Sequence, residues 1–277
     1  MNNPFINTSK KARSYDDRQK QNRSWWEMMP MTYSNWTNKN RIPATDGDFK
    51  KIEEYVERTG PWLKKWFSTL AVSDLCCLDL GSGSGIFSSL ISRRGGNVIS
   101  MDITQAGVVL TGDLLRHFGE KPKVVCADAE SIPFDSEYFD FIFSWGVLHH
   151  TSDMDKALRE VNRILKKNGC GIMMVYHKRS IVYYLHGIFW LIIKGKIFLG
   201  YNLNTVQDFY TDGFYHRYLT KRQLAQMLIN AGLKVTTFYI TQYEKKILPG
   251  IPDVLDVFLK ERFGMCLVAE FSKVKKA

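Results

Sequence analysis

Long apolar runs are missing from this 277-residue chain. The most apolar stretch, Ser180 to Ile193, is too short for a membrane span and carries His186 and Gly187. Met1 to Lys11 are polar and show no signal-peptide core, so a cytoplasmic protein is expected. Cysteine is scarce: five residues, an odd count, with no metal-like spacing. Cys76 and Cys77 are adjacent in a predicted strand, face opposite sides and cannot chelate together. Reduced, buried thiols are the expectation, and no metal. The net charge of +10 holds no run of five or more basic residues, which favours a solvated basic surface over an acidic partner such as RNA or an anionic membrane surface. Gly-Lys-Ser/Thr is absent, which excludes a P-loop, and the third glycine of a dinucleotide fingerprint is replaced by Ile86.

What is present is the run Leu75-Cys76-Cys77-Leu78-Asp79-Leu80-Gly81-Ser82-Gly83-Ser84-Gly85-Ile86-Phe87. An apolar run bounded by glycine reads as a buried strand. Glycines at alternate positions allow a tight turn with no side chain between backbone and ligand. Ile86, Leu90 and Ile91 then share one helical face. Strand, glycine turn and helix make a nucleotide-binding start, because a helix N-terminus offers free N–H groups and a positive dipole. A second predicted strand, Asn97 to Asp102, closes on a carboxylate about twenty residues further on, the usual offset for an acid that takes a ribose hydroxyl pair.

Leu78 to Gly85 resembles the glycine motif of the class I S-adenosylmethionine (SAM)-dependent methyltransferases. Three later stretches look like that family in the right order: Ile99 to Asp102, Asp128-Ala129 before Ile132-Pro133-Phe134, and Phe139 to His150. The resemblance covers Leu75 to Tyr176 and is closest to the small-molecule branch, with its ubiquinone-type and natural-product enzymes. It implies an α/β fold: a Rossmann-like, doubly wound seven-stranded sheet whose last strand runs antiparallel beside strand five. It implies SAM as cofactor, held by Asp79, Gly81, Ser82, Gly83, Gly85, Asp102, Ile103, Asp128, Ala129, Ser144 and Trp145, with Asp128 accepting from the adenine amino group. The Trp145-to-Thr151 stretch lacks the Asn/Asp-Pro-Pro-aromatic run of nucleic-acid amine methyltransferases, and no Pro-Cys pair is present. Both absences favour a small organic acceptor.

Around that core the chain divides into an arm and helical cap (1–72), the SAM-binding core (73–177), a lid or substrate insertion (178–217) and the C-terminal part of the core (218–277). Residues 1–24 read as a loose polar arm. Trp25 to Trp36, rich in tryptophan and methionine, reads as a staple or as a cap whose aromatic faces suit a sulfonium. Helical periodicity over Asp48 to Leu70 breaks at Gly60-Pro61. A helix over Asp155 to Lys166 is expected to end on Lys167-Asn168-Gly169, with strand five over Cys170 to Tyr176. The apolar 180–193 segment reads as a lid, or as a surface that meets lipid or an apolar substrate. Thr220 and Gly232 cap a further helix, and a last strand spans Met265 to Phe271.

Methyl transfer from SAM is mostly alignment, but a hydroxyl or amine acceptor also loses a proton, a task suited to histidine. His149 is favoured as that base, with His150 shaping the cofactor loop; His216 with Arg217 is the second choice. Tyr33, Tyr215, His216 and Arg217 are the candidate acceptor contacts. A histidine base predicts a rate that rises with pH through the histidine range and then levels off. The reading is methyl transfer to oxygen or nitrogen of a natural-product, quinone or lipid-like acceptor. An RNA methyltransferase and a non-catalytic SAM-binding module stay open as alternatives.

Overall fold

The computed structural model describes residues 15–31, 45–59, 61–209, 215–242 and 250–274. In chain order the elements are α1 (Tyr15–Met28), α2 (Asp46–Thr59), α3 (Pro61–Thr69), β1 (Cys76–Leu80), α4 (Ile86–Ser92), β2 (Asn97–Asp102), α5 (Gln105–His117), β3 (Val124–Cys126), β4 (Phe139–Trp145), α6 (Met154–Ile164), β5 (Leu165–His177), α7 (Ile181–Ile188), β6 (Tyr218–Leu219), α8 (Lys221–Asn230), β7 (Leu233–Thr241), α9 (Asp253–Phe263) and β8 (Cys266–Lys273).

The strands form one mixed sheet in the order β3-β2-β1-β4-β5-β8-β7, with β6 pairing β5. Strands β1 to β5 are parallel, whereas β8 runs antiparallel between β5 and β7. The sheet is thus the doubly wound sheet expected, with eight strands rather than seven. The extra strand is the two-residue β6, whose Tyr218 and Leu219 pair with Tyr176 and His177. The strand order reverses between β1 and β4, and in open α/β sheets ligands bind at that switch, outside the carboxyl ends of the strands.

Both faces are covered, which is why the central strands β1 and β4 are mostly apolar rather than alternating, with Asp79, Asp140 and Ser144 as the exceptions. Leu78, Leu80, Ile142 and Met173 pack with α6 and α8 on one face. Cys77, Phe141, Phe143 and Trp145 pack with α2 to α5 on the other. Cys76 and Cys77 accordingly belong to opposite faces, and no group of three metal-binding side chains occurs among the described residues. The second face carries an aromatic stack in which Trp62 lies over Trp145 at 6.2 Å and Phe67 meets Phe87 at 6.0 Å.

Two local expectations change. The second half of the polar arm is not loose but forms helix α1, with Trp25 buried. Helix α6 stops at Ile164, and Leu165 is already extended and paired with Phe139. The expected glycine cap at Gly169 is therefore not used; it lies within β5. Strand pairing, with a register shift after Phe139, outweighs the local helix-ending signal.

Candidate cofactor and acceptor site

Strand β1 ends at Leu80 and the chain turns through Gly81, Gly83 and Gly85, all at positive φ. A β-carbon at Gly85 would lie 2.8 Å from the Thr111 backbone, so α5 packs directly on the turn. The Gly81 and Ser82 amides donate to the Met101 carbonyl at 2.7 and 3.0 Å, tying the turn to β2. The Ser82 hydroxyl meets Thr111 Oγ1 at 2.9 Å. Asp79 lies beneath the turn, buried, and accepts from Ser88 Oγ at 2.6 Å. Burial pushes its carboxyl up to about 7. Its contacts bind β1 to α4, so Asp79 shapes the turn from below.

Asp102 stands at the carboxyl end of β2. Its Oδ2 accepts from the Gly83 amide at 2.9 Å, and its Oδ1 accepts from the Thr104 amide and hydroxyl at 2.9 and 2.7 Å. A carboxylate has about four acceptor sites; these three donors leave one, on Oδ2. Burial raises this carboxyl, and the Thr104 and Gly83 hydrogen bonds oppose the rise. Ile103 and Ala129 flank the crevice, half-buried and buried respectively. Asp128 follows β3 and accepts from the Glu130 amide at 2.8 Å. Ser144 Oγ, near the end of β4, is buried with no hydrogen-bond partner, a free polar atom beside the switch point. The Trp145 ring instead joins the aromatic stack with Trp62 and Phe143, so only its backbone belongs to the carboxyl edge.

Helix α1 covers this edge. Gln19 Nε2 donates to both oxygens of Asp128 at 2.9 and 3.0 Å, and Gln19 Oε1 accepts from the Ser152 amide. Asn22 Nδ2 donates to the His150 carbonyl at 2.9 Å. The Glu27 carboxylate accepts from the Gln105 and Ala106 amides, at the positive N-terminal end of α5. Trp26 meets the His150 ring edge-on at 5.1 Å. Gln19, Asn22 and Glu27 tie α1 to this edge, and the sequence reading did not single them out. Their signal is weak, since each is an ordinary polar residue whose partner is distant in the chain. Tyr33 and Trp36 lie outside the described residues.

The turn after β4, Leu148–His150, carries the two histidines. Both rings are buried and lie 4.1 Å apart. His150 Nδ1 is 2.9 Å from the Tyr215 carbonyl, so Nδ1 carries the proton and Nε2 the lone pair. His149 packs 4.0 Å from Tyr176, and neither of its nitrogens has a hydrogen-bond partner. Arg217 clamps the same turn: its amide donates to the His149 carbonyl, and its guanidinium donates to Thr151 O, Ser152 O and Tyr215 Oη. Tyr215, His216 and Arg217 thus converge with His149 and His150, although 65 residues separate His150 from Tyr215. His216 faces Asp208 at 3.6 Å. Burial, with His216 and Arg217 nearby, holds His150 down at about 3 and His149 well below the usual range. Both imidazoles are neutral at physiological pH, so the histidine limb expected in the rate profile shifts to acid.

Comparison with known proteins fits this geometry. Residues 78–173 match the family described as a methyltransferase domain. That match runs from β1 into β5 and spans 96 of the 277 residues. A ubiquinone/menaquinone biosynthesis C-methyltransferase (UbiE) of Vibrio vulnificus is 38% identical over 106 residues, covering 36% of this chain and 41% of the relative. A malonyl-[acyl-carrier protein] O-methyltransferase of Legionella pneumophila is 28% identical over 142 residues, covering 50% of this chain and 49% of the relative. The chain therefore spans half or less of the length of these two relatives. A solved SAM-dependent methyltransferase from Methanosarcina mazei shares the fold, with a TM-score of 0.55 at 18% identity, over 74% of this chain and 94% of that one.

Proposed function

We propose that this chain binds SAM at the β1–β4 switch and transfers its methyl group to an oxygen or nitrogen of a small organic acceptor. The residues at the switch fit that cofactor. The glycine turn admits close backbone approach, Asp102 keeps an acceptor site for the ribose, and Asp128, Ala129 and Ser144 Oγ offer polar and backbone contacts. SAM supplies an electrophilic methyl group with its leaving group built in.

The observation that carries the reading is the closed arrangement of His150, Tyr215 and Arg217 beside that crevice under α1. The Tyr215 carbonyl orients the His150 ring with its Nε2 lone pair free of the proton. That favours His150 over His149 as the group that receives an acceptor proton, with His149 packing beneath it. A base held this far below neutrality accepts a proton weakly. Most of the rate then comes from alignment and exclusion of water.

Calorimetry of SAM binding, followed by release of S-adenosylhomocysteine across phenols, amines and carboxylates, tests the proposal. His150→Ala is expected to lower turnover ~10²-fold, at the low end for a general base, with SAM affinity near normal. The rate is expected to be flat from about pH 6 to 9, because both imidazoles stay neutral there. SAM binding without turnover on any acceptor would make the chain a binding module instead. Salt-sensitive RNA binding would favour an RNA substrate.

A further inference from the structure

The segment after β5 carries an exposed apolar surface that takes no part in the contacts described for the crevice. Ser180 caps α7, and a π turn over Phe189–Ile193 continues it. Gly195 and Gly200, both at positive φ, bracket a short turn over Lys196–Leu199. The inner side of this hairpin is closed by specific contacts. Tyr183 Oη donates to Asn204 Oδ1 at 2.6 Å, Gly187 packs against Leu203, and Trp190 stacks on Phe209 at 4.9 Å. The outer side is open: Ile188, Phe189, Ile192, Ile193, Phe198 and Leu199 are all exposed, Phe198 at 89% and Ile193 at 70%. Since the inner side already has its partners, the outer residues are not a core left unpacked. A contiguous apolar surface of this kind marks an interaction site.

Charge identifies the partner. From Val161 to Gln207 the chain has no acidic residue and seven basic ones. Lys194 and Lys196 sit at the tip of the hairpin, with Lys194 Nζ 5.6 Å from the Phe189 ring and Lys196 Nζ 4.7 Å from the Phe209 ring. Lysines beside an exposed apolar face are the pattern of an element lying in a lipid interface, with stems along the acyl boundary and ammonium groups among the headgroups. Helix α9 supplies the contrast: its exposed Val254, Val257 and Phe258 share the helix with Asp253 and Glu261 as well as Lys260 and Arg262, and Lys260 is taken up by the buried Asp256 at 2.7 Å. That mixed-sign face lacks the purely basic flank of the hairpin. Among the described residues no helix is long and apolar enough to cross a membrane, so the hairpin would lie on the bilayer.

We propose that the Ile181–Leu199 hairpin is a membrane-surface element that inserts its outer apolar face into the headgroup region of an anionic leaflet. Its inner face abuts the histidine turn through the ring contacts Tyr183–Tyr218 (4.8 Å), Tyr218–Tyr176 (5.4 Å) and Tyr176–His149 (4.0 Å). Docking there therefore sets the carboxyl edge of the sheet close to the lipid.

The test is co-sedimentation of the full chain with vesicles of phosphatidylcholine alone and of phosphatidylcholine with one quarter phosphatidylglycerol. Binding is expected on the anionic vesicles, weaker by roughly tenfold or more on neutral ones, and falling as salt screens the lysines. Ile193→Asp and Phe198→Asp are each expected to abolish it. Both side chains are exposed, so the thermal melt should not move. Lys194→Gln with Lys196→Gln is expected to remove most of the preference for anionic lipid, and Val254→Asp to change nothing. Two outcomes overturn the proposal. One is vesicle binding that survives Ile193→Asp and Phe198→Asp. The other is no binding to the anionic vesicles; concentration-dependent dimerisation that those variants abolish would then assign the face to a second copy of the chain.

Discussion

Two neutral histidines sealed beside one another make folding sensitive to acid, and His150 allows the size to be worked out. Burial holds its imidazole at about 3, the Tyr215 carbonyl bond opposes this in part, and His216 and Arg217 add to it. An unfolded histidine titrates near 6.5. Below that value the unfolded chain takes up a proton that the folded chain refuses, so the stability present above 6.5 is lost as pH falls towards 3. From pH 7.5 to 5.0 the loss from this one ring is about 1.5 pH units at 1.36 kcal/mol each, roughly 2 kcal/mol. Asp79 acts in the opposite sense. Its carboxyl sits at about 7 when folded, so acidification relieves a cost of roughly 2–3 kcal/mol over the same interval. The wild-type profile alone would therefore conceal the histidine. The difference between wild type and His150→Asn isolates it, because asparagine can keep a donor near the Tyr215 carbonyl but does not titrate. The variant loses packing at every pH. Its deficit in urea-unfolding free energy should shrink by about 2 kcal/mol between pH 7.5 and 5.0. A deficit that stays the same at both pH values would show that His150 is not held neutral by its surroundings, and the orientation argument for its Nε2 would fall with it.

Asp102→Ala should weaken SAM binding at least tenfold by calorimetry. Because it also removes the anchor of Gly83 and Thr104, unfolding should come ~2–4 kcal/mol sooner; an unchanged melt would mean the glycine turn holds itself. Gln19→Glu sets a carboxylate against Asp128, so α1 should loosen, with faster hydrogen exchange over 15–31 and red-shifted emission from Trp25 and Trp26. Unaltered exchange there would deny α1 its role as a cover held through Asp128.

The parallel half of the sheet was legible because its determinants are local. Gly81, Gly83 and Gly85 occupy a backbone region that other residues avoid, and the strands around them are apolar because both sheet faces are covered. Asp79, Asp102 and Asp128 could be placed by their distance from that turn. What each carboxylate touches could not: Asp79 turns under the loop to Ser88, while Asp102 doubles as its brace. The eighth strand was invisible because two residues carry no periodicity and Tyr218 and Leu219 are extended only through their pairing with β5. The end of α6 was misread for the same reason, as pairing of Leu165 with Phe139 overrides the helix signal.

The sequence by itself determined where the chain turns, which strands are buried and where the histidines fall relative to the glycines. These follow from backbone sterics and the periodicity of apolar side chains, which act over a few residues. Only the tertiary structure decided that α1 is a helix at all. Its Gln19 and Asn22 find partners 109 and 128 residues away, and a polar segment has no reason to fold until that surface exists. The choice between His149 and His150 is also tertiary. Two adjacent identical side chains are distinguished only by the Tyr215 carbonyl, which a distant part of the chain brings to one of them.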